Sequence, residues 1–272
     1  MSLRATGIRG LLMLVLLASI AGAQVEDTLA AKRPLFTPSD ALLAGGFLAA
    51  AAATAPADQW ITRELQDEAR QANHLFNRGA TIFRLFGQPG ALLAGGGIYA
   101  IGLVADNNRA QDVGLHSMES IFLGSVITAS VKVVAGRARP RVNTQDARNF
   151  GLFRGLRDDN YRSFPSGHTT AAFAFASIVT IETSRWSSDS RWIVGPLMYG
   201  AATLTGVSRI YNNAHWASDV ITGAAIGTLT GVKVFRFQHS HPGNWLDKKF
   251  LRAGVSVSNK RVVMPILSVV SK

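Results

Sequence analysis

The chain has no cysteine in its 272 residues. That excludes a disulfide framework, a thiol nucleophile and a thiolate-bound metal. Acidic residues are also scarce: 17 Asp and Glu stand against 28 Lys and Arg, a formal charge of +11. Such an excess favours anionic partners, whether phosphoesters, anionic lipid head groups or nucleic acid. Nucleic acid is the weakest of the three, because the basic residues are scattered and no basic helix interleaves with exposed aromatics. The sequence lacks paired catalytic carboxylates and a Walker-type glycine loop. It shows no internal repeat, no low-complexity segment beyond an Ala/Gly bias, and no apolar run with period-two alternation.

What is present is a set of short, Gly- and Ala-rich apolar stretches. Ala41–Ala57 is followed by a mixed-charge segment from Gln59 to Arg84, which reads as an amphipathic helix carrying a surface His74. Five more runs follow at Pro89–Ala105, Ser120–Ala135, Thr169–Ile181, Ile193–Val207 and Val220–Val234. Each falls short of the ~20 residues wanted for a perpendicular membrane span. Small residues let helices approach closely, in membranes and in soluble bundles alike.

The N-terminus begins with Arg4 and Arg9, a short apolar core from Leu11 to Ile20 and the small residues Ala21-Gly22-Ala23 before Gln24. This is the pattern of a secretory leader over 1–23, with an uncleaved anchor as the alternative. Cleavage would lower the formal charge of +11 by two. The remaining chain divides into a polar lead-in with N-terminal helices at 24–88, a helical core at 89–238 and a tail at 239–272 with some strand character.

Three segments carry chemistry. In Ser208-Arg209-x5-His215-x3-Asp219, the histidine and aspartate are four residues apart, so they share one face of a helix or helical turn. A carboxylate so placed fixes an imidazole's tautomer and leaves its other nitrogen free to attack. Arg209 supplies a planar, permanently charged fork suited to phosphate oxygens. Lys132-x6-Arg139-Pro140 adds two further cations, and Pro165-Ser166-Gly167-His168 is a tight turn delivering a second histidine to the start of an apolar helix. Together these suit a phosphoryl group: cations for its oxygens, turn amides as a nest, one imidazole to attack and one to protonate the leaving group.

These three motifs, in this order, resemble the type-2 phosphatidic acid phosphatase superfamily, which shares its site with vanadium-dependent haloperoxidases. The resemblance covers roughly Ser120 to Val234. It implies an all-α bundle of about six core helices, acid phosphatase/haloperoxidase-like and membrane-embedded, with the motifs meeting at one end. It further implies a metal-independent phosphatase in which His215 attacks phosphorus to give a phosphohistidine, Asp219 orients His215, and His168 protonates the leaving alkoxide. Lys132, Arg139, Ser166, Gly167 and Arg209 would bind the phosphoryl oxygens. No cofactor is implied, although vanadate or phosphate would fit the pocket. The expected partners are a phosphorylated lipid or small phosphomonoester and a membrane. A haloperoxidase and a non-catalytic lipid-binding protein are the alternative functions.

Mean hydropathy is +0.17, low for a six-span protein and high for a soluble one. With the site on the outer face of the cytoplasmic membrane, Arg185, Arg191 and the basic stretch from Arg236 to Arg252 fall inside, as the positive-inside tendency prefers. A soluble periplasmic enzyme is the alternative. Outside the motifs, the arginines of the loop 137–163 read as solvated, and Tyr211 and Trp216 as packing at the site's rim. His116 reads as a polar helix-end residue. His239 and His241, two residues apart, could hold a metal only with a third ligand; none is evident in the sequence, and no metal site is expected.

Overall fold

The computed structural model describes residues 34–241 together with 244, 245 and 249. The expected leader at 1–23 and the strand-like tail at 253–272 lie outside them. Every regular element among the described residues is helical. Helix α1 (Pro38–Thr54) starts where Thr37 and Asp40 form a capping box and Pro38 supplies a pre-set φ. A short turn holding Pro56 leads into α2 (Asp58–Leu65).

The single amphipathic helix expected over Gln59–Arg84 is broken into three: α2, α3 (Glu68–Gln71) and α4 (His74–Phe86). Local caps cause the breaks. The Asp67 side chain accepts from the Ala69 N–H at 3.2 Å, and Asn73 accepts from Leu75 N–H at 2.9 Å. Each cap satisfies a donor that a continuing helix would have used.

Helices α5 (Gly90–Val104), α6 (Asn108–Ala135), α7 (Gly167–Trp186), α8 (Arg191–Tyr211) and α9 (Ala217–Ser240) follow. Four of these overlie the expected apolar runs closely. Helix α6 instead starts at Asn108, well before Ser120, with Asn107 capping the Ala110 N–H at 3.1 Å. Its first half reads as polar, yet Gln111, His116 and Ser117 are buried there. Gln111 Nε2 donates to Gly102 O at 3.2 Å, and His116 bonds Glu182 at 2.7 Å. Polar residues satisfied by partners on other helices are invisible to a search for apolar runs.

Helix α7 is the central rod, packed against α6, α8 and α9. Gly223, Gly227 and Gly231 lie one turn apart on α9 and face α7. A Cβ on Gly227 would come within 2.3 Å of Thr170 O, so this contact requires bare backbone. Phe47, Phe173, Tyr199 and Ile221 fill the space around it, and the Tyr199 hydroxyl shares a 3.0 Å hydrogen bond with Ser177.

Three segments, Pro38–Leu65, Asn108–Ala135 and Ala217–Ser240, are long and apolar enough to cross a membrane. Large apolar side chains stand exposed on the outer faces of the bundle, among them Leu42, Leu93, Phe122, Ile193 and Leu197. Scattered apolar residues are ordinary on soluble proteins, but this many large ones on the outer faces of helices of spanning length make an apolar belt that suits a membrane.

Candidate active site

The three motifs meet at one end of the bundle, where α6 ends and α7 and α9 begin. Helix α6 stops at Gly136, whose φ of +53° is left-handed and whose N–H returns to Lys132 O at 3.2 Å. A Cβ at Gly136 would lie 1.8 Å from Gly151 O, so only glycine makes this turn. The turn leaves Lys132 in the last helical turn, with Nζ donating to Arg162 O at 2.6 Å and close to Ser163 O at 3.4 Å.

The same turn sends Arg137 inward. Read from sequence as one of several solvated loop arginines, Arg137 is instead buried at 4% exposure. Its guanidinium donates to Asp219 Oδ1 at 2.5 Å, Asp58 Oδ2 at 2.8 Å and Ala147 O at 2.7 Å. Burial disfavours its charge, but Asp219 and Asp58 outweigh that and raise its pKa further. Two residues later, Arg139 Nε donates to Asp159 O at 2.9 Å and Nη2 to Asp159 Oδ1 at 3.0 Å.

The Pro-Ser-Gly turn sits directly on the start of α9. Ser166 N–H donates to Asp219 O at 3.0 Å, and a Cβ on Gly223 would meet Ser166 O at 2.5 Å. The Ser166 hydroxyl is fully buried and accepts from Thr169 at 2.8 Å. Gly167 begins α7 with Lys132 Cε and the Gln88 side chain just beyond it. The segment before α5 closes the other side, since a Cβ at Gly87 would reach His168 Cβ at 2.9 Å.

His215 is 2% exposed, and its Nδ1 lies 2.7 Å from Ser163 O. A carbonyl only accepts, so Nδ1 carries the proton and Nε2 keeps its lone pair. Asp219 Oδ2 lies 3.9 Å from the same nitrogen. That carboxylate is held by Arg137, by the Ser163 hydroxyl at 2.5 Å and by Trp216 N–H at 2.9 Å. Asp219 therefore fixes the segment that orients His215, and the direct acceptor is a backbone oxygen. Trp216, expected at the rim, is fully buried and donates Nε1–H to Ala138 O at 2.8 Å.

The pocket is crowded with positive charge. Burial and the charge of Lys132 push the His215 pKa down to about 3, against the opposing pull of Asp219. Burial and the charges of Arg209, Lys132, Arg84 and Arg139 push His168 down to about 4. Burial and neighbouring Arg139 and Arg84 lower Arg209 to about 10. Arg209 is 8% exposed, and its buried Nε has no hydrogen-bond partner among the described residues. Cations that depress one another, one with an unspent buried donor, form a site for an anion.

Sequence reasoning missed Arg137, Asp58 and Ser163, and it missed Arg84 on α4 as a cation acting on the pocket. Only the Arg84 contribution had a visible signal: a basic residue in the last turn of an amphipathic segment.

Comparison with known proteins covers the same region. The family model of the PAP2 superfamily matches residues 114–241. A lipid A 1-phosphatase of Porphyromonas gingivalis is 51% identical over 71 residues, which is 25% of this chain and 15% of that protein. Lipid phosphate phosphatase 1 of Arabidopsis thaliana is 29% identical over 144 residues, 45% of this chain and 43% of that protein. The chain thus spans less than half the length of these curated relatives. A crystal structure of Aquifex aeolicus LpxE is similar with a TM-score of 0.49 and 22% identity, over 66% of this chain and 94% of that one. Over residues 114–241, the stretch that holds all three motifs from Lys132 to Asp219, the chain is similar to the PAP2 superfamily.

Proposed function

We propose that this protein is a phosphatase that hydrolyses the phosphomonoester of a lipid at a membrane surface, through a phosphohistidine on His215. The observation that carries the reading is the pairing of a neutral, fixed imidazole with a cluster of under-compensated cations.

In the first step His215 Nε2 attacks phosphorus while the bond from phosphorus to the lipid oxygen breaks. His168, protonated once the bound phosphoryl anion offsets the cations that lower its pKa, gives that oxygen its proton, and the lipid leaves as an alcohol. The new phosphoimidazole bears positive charge, which Ser163 O and the carboxylate of Asp219 stabilise. In the second step water attacks phosphorus, His168 takes its proton, the P–N bond breaks and inorganic phosphate departs. Lys132, Arg139 and Arg209, with the turn at Ser166-Gly167, neutralise the charge on the equatorial oxygens, the task that a metal ion performs at other phosphoryl-transfer sites.

A lipid substrate is supported by an apolar recess between α4 and α8, with Arg70 and Ser208 in its wall. It has a volume of about 400 Å³ and is lined by Leu65, Leu75, Phe76, Phe83, Leu204 and Val207. Such a recess suits an acyl chain better than water. The relatives named above act on lipid A and lipid phosphates, and these are the substrates to try first. The pocket would face the periplasm, with Arg185 and Arg191 at the cytoplasmic end.

The test is phosphate release from phosphatidic acid, lipid A and p-nitrophenyl phosphate by purified protein, beside His215→Ala. The expected result is release from a lipid and a loss of roughly 10³-fold or more in the variant. Near-normal turnover by His215→Ala would overturn the assignment. Acid-labile, alkali-stable label on the protein from a phosphorus-32 substrate would mark the intermediate, and its absence under rapid quench would argue for direct hydrolysis.

A further inference from the structure

The same three helices that frame the phosphate pocket carry a second polar cluster at their other ends. His116 on α6, Glu182 on α7 and His239 on α9 come together some 20–30 Å from the pocket, judging from the helical rise. We propose that this cluster is a divalent transition-metal site, best suited to Zn²⁺, that ties the three helices together. The inference is independent of the reaction proposed above.

The ligand atoms of His116, Glu182 and His239 all lie within 4.8 Å of one another. His116 Nδ1 is 2.7 Å from Glu182 Oε1, and His239 Nε2 is 2.8 Å from the same oxygen. Glu182 is fully buried, and His116 is 2% exposed. Asp112 lies one turn before His116 on the same face of α6, and its charge acts on His116, Glu182 and His239. Two imidazoles and carboxylate oxygens form an N/O set that suits zinc. No third ligand for His239 was evident in the sequence because its neighbours in the fold, Glu182 and His116, are far away along the chain. His241, its expected companion, is not among them.

Hydrogen bonds alone leave the cluster at odds with itself. His239 Nε2 lies 2.8 Å from Glu182 Oε1 and 3.1 Å from an Arg185 nitrogen. With an ionised carboxylate, a protonated Nε2 faces the Arg185 donor, and an unprotonated Nε2 faces the Glu182 lone pair. A cation between Nε2 and Oε1 satisfies both lone pairs. It leaves Arg185 on Glu182 Oε2, where it already sits at 3.1 Å. Metal bonds of about 2.1 Å at tetrahedral angles separate ligand atoms by roughly 3.4 Å, so loading widens each contact by well under an ångström. Arg185 has 31% side-chain exposure and room to withdraw.

The test uses the full chain in detergent with no polyhistidine tag. It is stripped with chelator and titrated with Zn²⁺, and separately loaded with Co²⁺. We expect about one tightly held ion per chain, visible ligand-field absorption from Co²⁺ and a thermal midpoint that rises with Zn²⁺. His239→Ala and Glu182→Gln should weaken binding by roughly a hundredfold or more, beyond the usual loss for supporting residues. Arg185→Gln removes a competing charge and should tighten it severalfold. Absence of a stoichiometric ion, or binding unchanged in His239→Ala, would overturn the site and leave a hydrogen-bonded network. Should the variants fail to fold, the Co²⁺ spectrum of the unaltered chain decides alone.

Discussion

His215 is held neutral by a backbone contact and by burial, and both have consequences at the scale of single residues. An ordinary imidazole titrates near 6.5, whereas His215 and His168 do so at about 3 and about 4 in the fold. Between those values the unfolded chain binds more protons than the folded one. Stability is therefore full above pH 6.5 and falls as pH drops towards 4. Thermal midpoints across that window should show the slope, and His215→Asn should flatten it. Vanadate or phosphate in the pocket offsets the local cations, so the His168 pKa should rise on binding, as imidazole NMR shifts would record. No movement would place the anion elsewhere. Asp219→Asn should cost about 3 kcal/mol of stability as well as activity, because it strips a buried partner from Arg137. Chemical denaturation checks this, and a loss of activity at unchanged stability would contradict it. The motif residues that the fold brings together were legible in the sequence because each motif is a short local pattern. Arg137 and Asp58 were not, because their pairing spans 79 positions and carries no local pattern.

At the scale of elements, the apolar stretches located five helices well, and the errors have identifiable causes. Caps at Asp67 and Asn73 cut one amphipathic stretch into pieces. Helix α6 extends through residues that look polar because their partners lie on α5 and α7. Gly136 is where an element's end sets the chemistry beyond it. Gly136→Ala adds roughly 1–2 kcal/mol of left-handed strain and a collision with Gly151 O. It should lower both the thermal midpoint and turnover, since Lys132 and Arg137 flank the turn. Gly227→Val tests the packing of α9 on α7, and it should destabilise by displacing Thr170 O. If its midpoint matches that of the unaltered protein, the two helices do not approach as described.

For the whole molecule, a cationic pocket at one end of an apolar-sided bundle sets what an assay should find. Lipid phosphates should be preferred over p-nitrophenyl phosphate in kcat/KM, and Leu75→Asp or Phe76→Asp in the apolar recess between α4 and α8 should narrow that preference. Equal loss on both substrates would assign those residues to folding only. The bundle was legible through the three motifs and the resemblance they carry, whereas the belt of outward Leu, Ile and Phe was not, because the apolar runs are shorter than the helices that contain them. That belt also determines how catalysis must be measured. An enzyme immersed in an amphiphile meets its substrate in two dimensions, so turnover follows the mole fraction of substrate in the micelle or bilayer. Adding inert detergent at fixed total substrate should slow the reaction by dilution within that surface, although the bulk concentration is unchanged.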